Sequence, residues 1–247
     1  MKRIYFGSQG LGDWQRHLAD STRHWKRGRS AFELAVSWER ASKKEGHRGL
    51  PMEIQNLLDK YSELQGAELL SAIPEHIVNL AGMGFGSHTD LWALLRSEQG
   101  LISLAIEAKA GETFDDAVEG WLQASRGKDS GTNRRNRLKY LCETLGLVFD
   151  EVQMKGLRYQ LFHRVASALL EAKRCHTAHA VVLVQDFGGQ GESSSDFDDF
   201  RVFGDLLGAQ VSINRLVEAR AIKDKRLWLG WIECKLANDD EVVGVVV

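Results

Sequence analysis

The sequence predicts an α/β protein in which a mixed β-sheet is flanked by helices. The apolar runs at 101–106 and 180–185 are short and apolar on successive positions, so we expect strands that are covered on both faces. Amphipathic segments with helical spacing precede, separate and follow these runs. This mixture of helical and strand patterns along one chain is typical of a layered α/β domain.

Length and composition favour a single globular domain over residues 1–247. The chain is 43% hydrophobic and 27% charged, which excludes disordered, collagen-like and disulfide-scaffold proteins. Only two prolines and no low-complexity linker interrupt it, and its net charge of −2 excludes a constitutive nucleic-acid coat protein. Three scattered cysteines have no metal-ligand spacing, and no apolar run approaches the roughly 20 residues of a membrane span. We therefore expect a cytoplasmic protein with no membrane segment.

The first third of the chain is expected to be helical. A helix is predicted at 30–45, where Leu34 begins an apolar face and Ser30 with Glu33 has the spacing of a capping box. A second helix is predicted at 53–64 and a third helical segment at 68–80.

A β-hairpin is predicted after the glycine-rich stretch at 82–88. The Ser-Glu-Gln-Gly break at 97–100 centres its turn between Glu98 and Gln99, so that Arg96 opposes Leu101 and Asp90 opposes Glu107. The segments that follow are predicted, in order, as helices at 114–124, 135–145 and 157–174, a buried strand in the run HAVVLVQDF, a helix at 196–207 and a strand at 227–234.

Asp90, Glu107 and Lys109 form the sharpest candidate site. Directly opposed residues on one sheet face have Cβ atoms roughly 4.5–5.5 Å apart, and two carboxylates at that distance repel unless a cation lies between them. Carboxylate oxygens are ligands that Mg²⁺ prefers. Lys109 shares a strand face with Glu107, where an ammonium orients water or offsets charge on a phosphate. The alternative is a hairpin whose charged side chains face solvent.

The predicted helix at 157–174 adds a second polar group. Gln160 and Arg164 are one helical turn apart, opposite an apolar stripe, and together suit a phosphate or a carboxylate ligand. The alternative is a solvated helix face on which His163 is an ordinary surface residue.

These features occur in an order that resembles the PD-(D/E)XK nuclease-like superfamily, which has the restriction-endonuclease-like fold. The run RYQLFHRVASALLEA, ahead of AVVLV, also resembles a little-characterised bacterial group within it. The resemblance covers about residues 30–187 and implies an αββαβ core. The stretch at 111–156 is then an inserted helical segment, and the helix and strand within 195–236 follow the core.

The resemblance implies phosphodiester hydrolysis of nucleic acid, with DNA as the expected substrate and Mg²⁺ or Mn²⁺ as the cofactor. Asp90 and Glu107 would hold the metal together with the Ala108 carbonyl, and Lys109 would act near the nucleophilic water. The sequence departs from the family motif at Thr89, because it lacks the motif's proline, as many other members do.

Two further contributions follow from the same resemblance. Members often add an acidic residue from the helix before the hairpin, for which Glu33 is the first candidate, with Glu39 and Glu75 behind it. The counterpart of Gln160 contacts the site in some members, and Arg164 lies one turn away from it.

Two basic segments are candidate nucleic-acid contacts. The first segment carries Arg126, Lys128, Arg134, Arg135, Arg137 and Lys139 among glycine, serine and asparagine residues. Such a loop can clamp a phosphate backbone. The second segment, 23–29, is basic and includes Trp25, on which a base could stack. The alternative for both is that the basic side chains simply face water.

Three interpretations stay open. A second Glu-X-Lys sequence at 233–235 is interpreted as a structural strand, because no acidic hairpin partner precedes it. The alternative function is a catalytically silent binding or regulatory module on the same fold, such as a partner in a defence or toxin system. The seven Trp and ten Phe residues are enough to form a homodimer face, which periodicity alone does not place.

Overall fold

The fold is built on one six-stranded sheet with strand order β1-β2-β3-β4-β6-β5. A computed structural model describes residues 10–18, 21–43, 48–81, 86–124, 130–189 and 191–246. The strands are β1 (Glu68–Val78), β2 (Ser87–Ser97), β3 (Gly100–Lys109), β4 (His179–Phe187), β5 (Arg215–Glu218) and β6 (Arg226–Cys234). Strands β3, β4 and β6 are parallel, and the other neighbouring pairs are antiparallel. The predicted α/β class with a mixed sheet is confirmed.

Helices flank this sheet on both faces. In chain order they are α1 (Leu11–His17), α2 (Ser21–His24), α3 (Ser30–Lys43), α4 (Met52–Leu58), α5 (Val118–Gln123), α6 (Ser130–Thr144), α7 (Glu151–Met154), α8 (Tyr159–Arg174), α9 (Ser195–Leu206) and α10 (Asp239–Val246). Helix α3 packs against β3 and β4, and α8 packs against β1 to β4. Within the described ranges, no helix combines the length and the apolar character that crossing a membrane requires.

Two apolar clusters hold the helices to the sheet. One contains Phe162 of α8, Phe203 of α9 and Trp231 of β6. The other contains Leu34 of α3 and Leu91 of β2. Successive residues of β3 join different clusters, as expected for a strand with a helix layer on each face. This burial explains why β3 and β4 are apolar on successive positions.

The hairpin and four of the elements after residue 157 agree closely with the prediction. Arg96 opposes Leu101, and the ladder continues to Leu91 opposite Ile106. Helices α8 and α9 and strands β4 and β6 lie within two residues of their predicted bounds. Strand β5 and helices α1, α2, α7 and α10 were not predicted, because they are short or lack a clear apolar period.

The predicted helix at 68–80 is wrong, because this segment forms the edge strand β1. Leu69 to Ala72 have mixed propensity, so pairing with β2 decides the local structure. The signal against a helix is Pro74, which is unfavourable inside a helix and is tolerated on an edge strand.

The predicted capping box at the start of α3 is also wrong. Ser30 is already the first helical residue, and its hydroxyl donates to Glu112 Oε1 at 3.2 Å. The Glu33 carboxylate does accept a hydrogen bond from a preceding backbone N–H, but this group belongs to Gly28, at 2.7 Å, and not to Ser30.

Replacing Phe162 by alanine should cost roughly 3–5 kcal/mol of unfolding free energy, because the change removes a buried ring from the main cluster. Urea denaturation measures this loss. Val148→Ala is the control, since Val148 is 88% exposed, and it should change stability by less than about 0.5 kcal/mol. Similar small losses in both variants would contradict the packing of α8 described above.

Candidate functional site

The candidate site lies where β2 and β3 separate. Their ladder ends with Leu91 opposite Ile106. Beyond that pair the two strands are no longer paired through their backbones. The Asp90 side chain bonds β3 instead, because its Oδ2 accepts a hydrogen bond from the Ala108 N–H at 2.7 Å. The Asp90 carboxylate therefore lies beside the part of β3 that carries Glu107, as the hairpin prediction requires.

The Glu107 carboxylate is buried and paired on both oxygens. Its Oε1 accepts from Gln160 Nε2 at 2.6 Å and lies 3.2 Å from Lys109 Nζ. Its Oε2 accepts from Arg164 Nε at 2.5 Å. Burial raises the pKa of the Glu107 carboxyl, but the charges of Arg164 and Lys109 outweigh burial and hold this pKa below its ordinary value.

Helix α8 turns its polar face toward the sheet rather than toward solvent. Gln160, Ser167 and Glu171 are all buried, so the alternative of a solvated face is wrong. His163 is half-buried, with its Nδ1 2.8 Å from Ser87 Oγ. The apolar stripe of α8 packs in the main cluster on the other side, which leaves the helix covered nearly all round.

Arg164 supplies the cation that the two hairpin carboxylates need. Its Nη2 lies 3.5 Å from Asp90 Oδ1, while its Nε binds Glu107. The Gln160 amide is held from both ends, because its oxygen accepts from the Asp115 N–H at 3.1 Å while its nitrogen donates to Glu107. The five residues selected from the sequence thus form one contact network.

Glu75 is a further carboxyl at this site, and it comes from β1. Its two neighbours pair with Leu91 and Thr89, so Glu75 stands opposite Asp90. Its φ of +50° lies in the left-handed region, which costs a residue other than glycine about 1–3 kcal/mol. Strain of this kind is often found at functional sites. Burial, followed by the negative charge of Asp90, raises the pKa of Glu75 to about 8.

When Glu75 is protonated, the negative charges of Asp90 and Glu107 are balanced by the positive charges of Lys109 and Arg164. Burial and the charge of Glu107 raise the pKa of Asp90 to about 7. Above that pH, the two carboxylates of Asp90 and Glu107 face the two cations of Lys109 and Arg164. Glu75 keeps its proton to higher pH because burial and the negative charge of Asp90 raise its pKa more than the charge of Arg164 lowers it.

The donor set suits a hard divalent cation, although it does not form a complete cage. The carboxylates of Asp90 and Glu107 and the carbonyl of Ala108 are oxygen ligands of the kind Mg²⁺ prefers. In the part of the chain that the structure describes, no three His, Cys, Asp or Glu side chains are arranged to hold a metal ion. Arg164 Nη1 is buried and has no hydrogen-bond partner among the described residues, so it has an N–H group left to donate to a phosphate oxygen.

The expectation that Glu33 joins the metal site is corrected. Its two carboxylate oxygens accept from the backbone N–H groups of Gly28 and Ala237, each at 2.7 Å. Glu33 therefore ties the start of α3 to the segment after β6. Glu39 accepts from Trp14 Nε1 at 2.7 Å. Glu75, the last of the three candidates, is the one that meets Asp90.

The predicted nucleic-acid contacts of the first basic segment differ in where they lie. Arg126 and Lys128 lie outside the described residues. Arg137 is 7% exposed and its Nε donates to Tyr159 Oη at 2.9 Å, so it is a buried structural residue rather than a surface contact.

The two remaining arginines of that set have partners within the protein. The Arg134 guanidinium lies 5.1 Å from the ring centroid of Trp121. Arg135 is exposed and forms an ion pair with Glu151, with 2.9 Å between Nε and Oε2. An exposed pair of this kind is weak enough for a phosphate to displace.

Comparison with known proteins identifies a family. A family model described as "Domain of unknown function (DUF6946)" matches residues 7–236, so the chain belongs to this family. No curated protein and no solved structure matches the chain. The chemistry of the cluster around Glu107 is therefore the basis for a function.

Glu75→Gln should stabilise the protein increasingly as pH rises. An unfolded Glu ionises near pH 4.5, whereas folded Glu75 holds its proton to about pH 8, so ionisation opposes folding across that interval. We expect the unfolding free energy of the variant to equal that of the wild type at pH 4 and to exceed it by on the order of 4 kcal/mol at pH 8.

Urea denaturation at pH 4 to 8 makes this measurement. Glu98→Gln is the matched control, because Glu98 is exposed in the hairpin turn. A constant difference between Glu75→Gln and the wild type over this range would contradict the placement of Glu75.

Proposed function

We propose that this protein is a metal-dependent phosphodiesterase that cleaves nucleic acid, with DNA as the expected substrate and Mg²⁺ or Mn²⁺ as the cofactor. The observation that carries the proposal is one buried contact network drawn from three separate segments of the chain. Its members are Asp90, Glu107, Lys109, Gln160 and Arg164.

The order of the elements supports the same proposal. Helix α3, strands β2 and β3, helix α8 and strand β4 follow one another in the αββαβ order, with β3 and β4 parallel. This is the order that the resemblance to the restriction-endonuclease-like fold implies. Helices α5 to α7 fall in the segment interpreted as an insertion, and β1 extends the sheet at its edge.

Each residue has a role that follows from its position. Asp90, Glu107 and the Ala108 carbonyl would hold the metal, which when bound lowers the pKa of water and offsets charge on the phosphate. Lys109 Nζ, 3.2 Å from Glu107 Oε1, donates to the attacking water or to a phosphate oxygen. Gln160 fixes the orientation of the Glu107 carboxylate.

Arg164 is placed to change partners when substrate binds. Its guanidinium now neutralises Asp90 and Glu107, and one of its nitrogens lacks an acceptor. A phosphate oxygen beside the carboxylates would give that nitrogen a charge-assisted hydrogen bond. Arg164 therefore binds the developing charge of the phosphate in this proposal.

The second candidate function is a catalytically silent binding or regulatory module. The observation that favours it is the complete pairing of Glu107 by Gln160, Lys109 and Arg164. Buried ion-pair networks of this kind also occur as structural features. A binding module has no need of a tight cation site at Asp90 and Glu107, so metal binding distinguishes the two functions.

Lys109→Ala should abolish metal-dependent cleavage. Loss of one preorganised donor to the reacting groups typically lowers the rate about 100- to 1,000-fold. Purified protein is incubated with plasmid and with single-stranded DNA in the presence of Mg²⁺, Mn²⁺ or EDTA, and the products are resolved on gels.

Lys235→Ala is the matched control for this experiment. Lys235 ends the second Glu-X-Lys sequence and is exposed after β6, so the variant should keep wild-type activity. Equal cleavage by Lys109→Ala and the wild type would refute the mechanism. A wild-type protein that cleaves no substrate would favour the binding module.

A further inference from the structure

A cavity of about 230 Å³ joins the candidate site to helices α1 to α3. Glu75 and Asp90 of the candidate site are part of its lining. Its lining also includes two aromatic rings, Trp14 and Trp25, and the apolar Leu34. The cavity thus connects the proposed phosphate-cleaving residues with the second basic segment, 23–29, which the mechanism does not use.

The two tryptophans are fixed surfaces for a flat ligand. Trp14 is 7% exposed, and its Nε1 donates to Glu39 Oε1 at 2.7 Å. Trp25 is half-buried and packs edge-on against Phe32, with 5.3 Å between ring centroids. Aromatic rings held in this way stack on nucleobases of any sequence, because every base has a π-face.

The volume of the cavity matches that of one nucleobase. Pockets that enclose drug-sized ligands are roughly 300–1,000 Å³, so about 230 Å³ suits a single base rather than a longer piece of chain. An aliphatic ligand would offer no hydrogen-bonding group to the Glu75 carboxyl, which lines the cavity. A base brings N–H groups on its edge together with apolar faces.

Basic side chains next to two lining residues, Trp25 and Ser30, suit the phosphates on either side of that base. Lys26 and Arg29 are exposed in the turn between α2 and α3, next to Trp25. Arg29 Nη1 lies 3.9 Å from Glu112 Oε1. An ion pair at this separation is weak, so a phosphate can replace Glu112 as the partner of Arg29. Exposed basic side chains at this position bind backbone phosphates independently of sequence.

We propose that this cavity binds one unstacked nucleobase and that the protein therefore acts on single-stranded nucleic acid. A base within an intact duplex is stacked and paired, so it enters such a cavity only after it is extruded at a cost. The inference rests on the proposed nuclease function, since it identifies the substrate class of that same site.

Binding is tested without cleavage, by fluorescence anisotropy of a labelled single-stranded oligonucleotide and of the matching duplex in EDTA. The wild type should bind the single strand at least about tenfold more tightly than the duplex. Trp25→Ala should weaken single-strand binding by about tenfold or more, and Trp25→Phe should restore most of it because stacking is retained. Thermal unfolding of each variant verifies that the fold is intact.

Equal affinity for single strand and duplex, or unchanged binding by Trp25→Ala, would overturn the inference. A cleavage assay on the same oligonucleotides with Mg²⁺ or Mn²⁺ separates its failure from that of the proposed function. Cleavage of duplex as fast as single strand would refute the inference and retain the nuclease. Tight single-strand binding through Trp25 without any cleavage would retain the base site and refute the nuclease.

Discussion

The buried carboxylate of Glu107 is the charge on which the arrangement of this protein depends. Transfer of such a group out of water costs several kcal/mol unless cations and hydrogen-bond donors replace its hydration. Lys109 comes from the same strand, but Gln160 and Arg164 can reach Glu107 only if α8 lies across β3. The pairing of one carboxylate therefore fixes the helix that covers the sheet and brings Arg164 to Asp90.

The same interaction explains why the polar face of α8 is buried. A helix with an apolar stripe normally turns its polar side to water. Here the polar side of α8 contacts the sheet, and the apolar stripe packs in a cluster with α9 and β6. Asp90 and Glu75 then complete a group of three acids where β2 separates from β3, and Glu75, whose φ is positive, stands opposite Asp90 on β1.

The parts that could be predicted are those that local patterns determine. The hairpin turn sets which residues oppose each other, so Asp90 could be placed beside Glu107 before the fold was known. Glu75 could not be placed in that way, because its position depends on an edge strand that the sequence analysis assigned to a helix. Glu33 had suitable chemistry, but backbone donors from distant segments occupy it. Burial of Arg137 likewise follows from tertiary packing rather than from its basic neighbours.

Titration with Mn²⁺ tests the central claim most directly, because the proposed function requires a cation between Asp90 and Glu107. Glu107→Gln is a better variant than Glu107→Ala, since alanine would leave Lys109 and Arg164 buried with no partner of similar shape. Calorimetry should show one Mn²⁺ site in the wild type and loss of that site in folded Glu107→Gln. The same Mn²⁺ affinity in both proteins, or no binding by the wild type, would contradict the account.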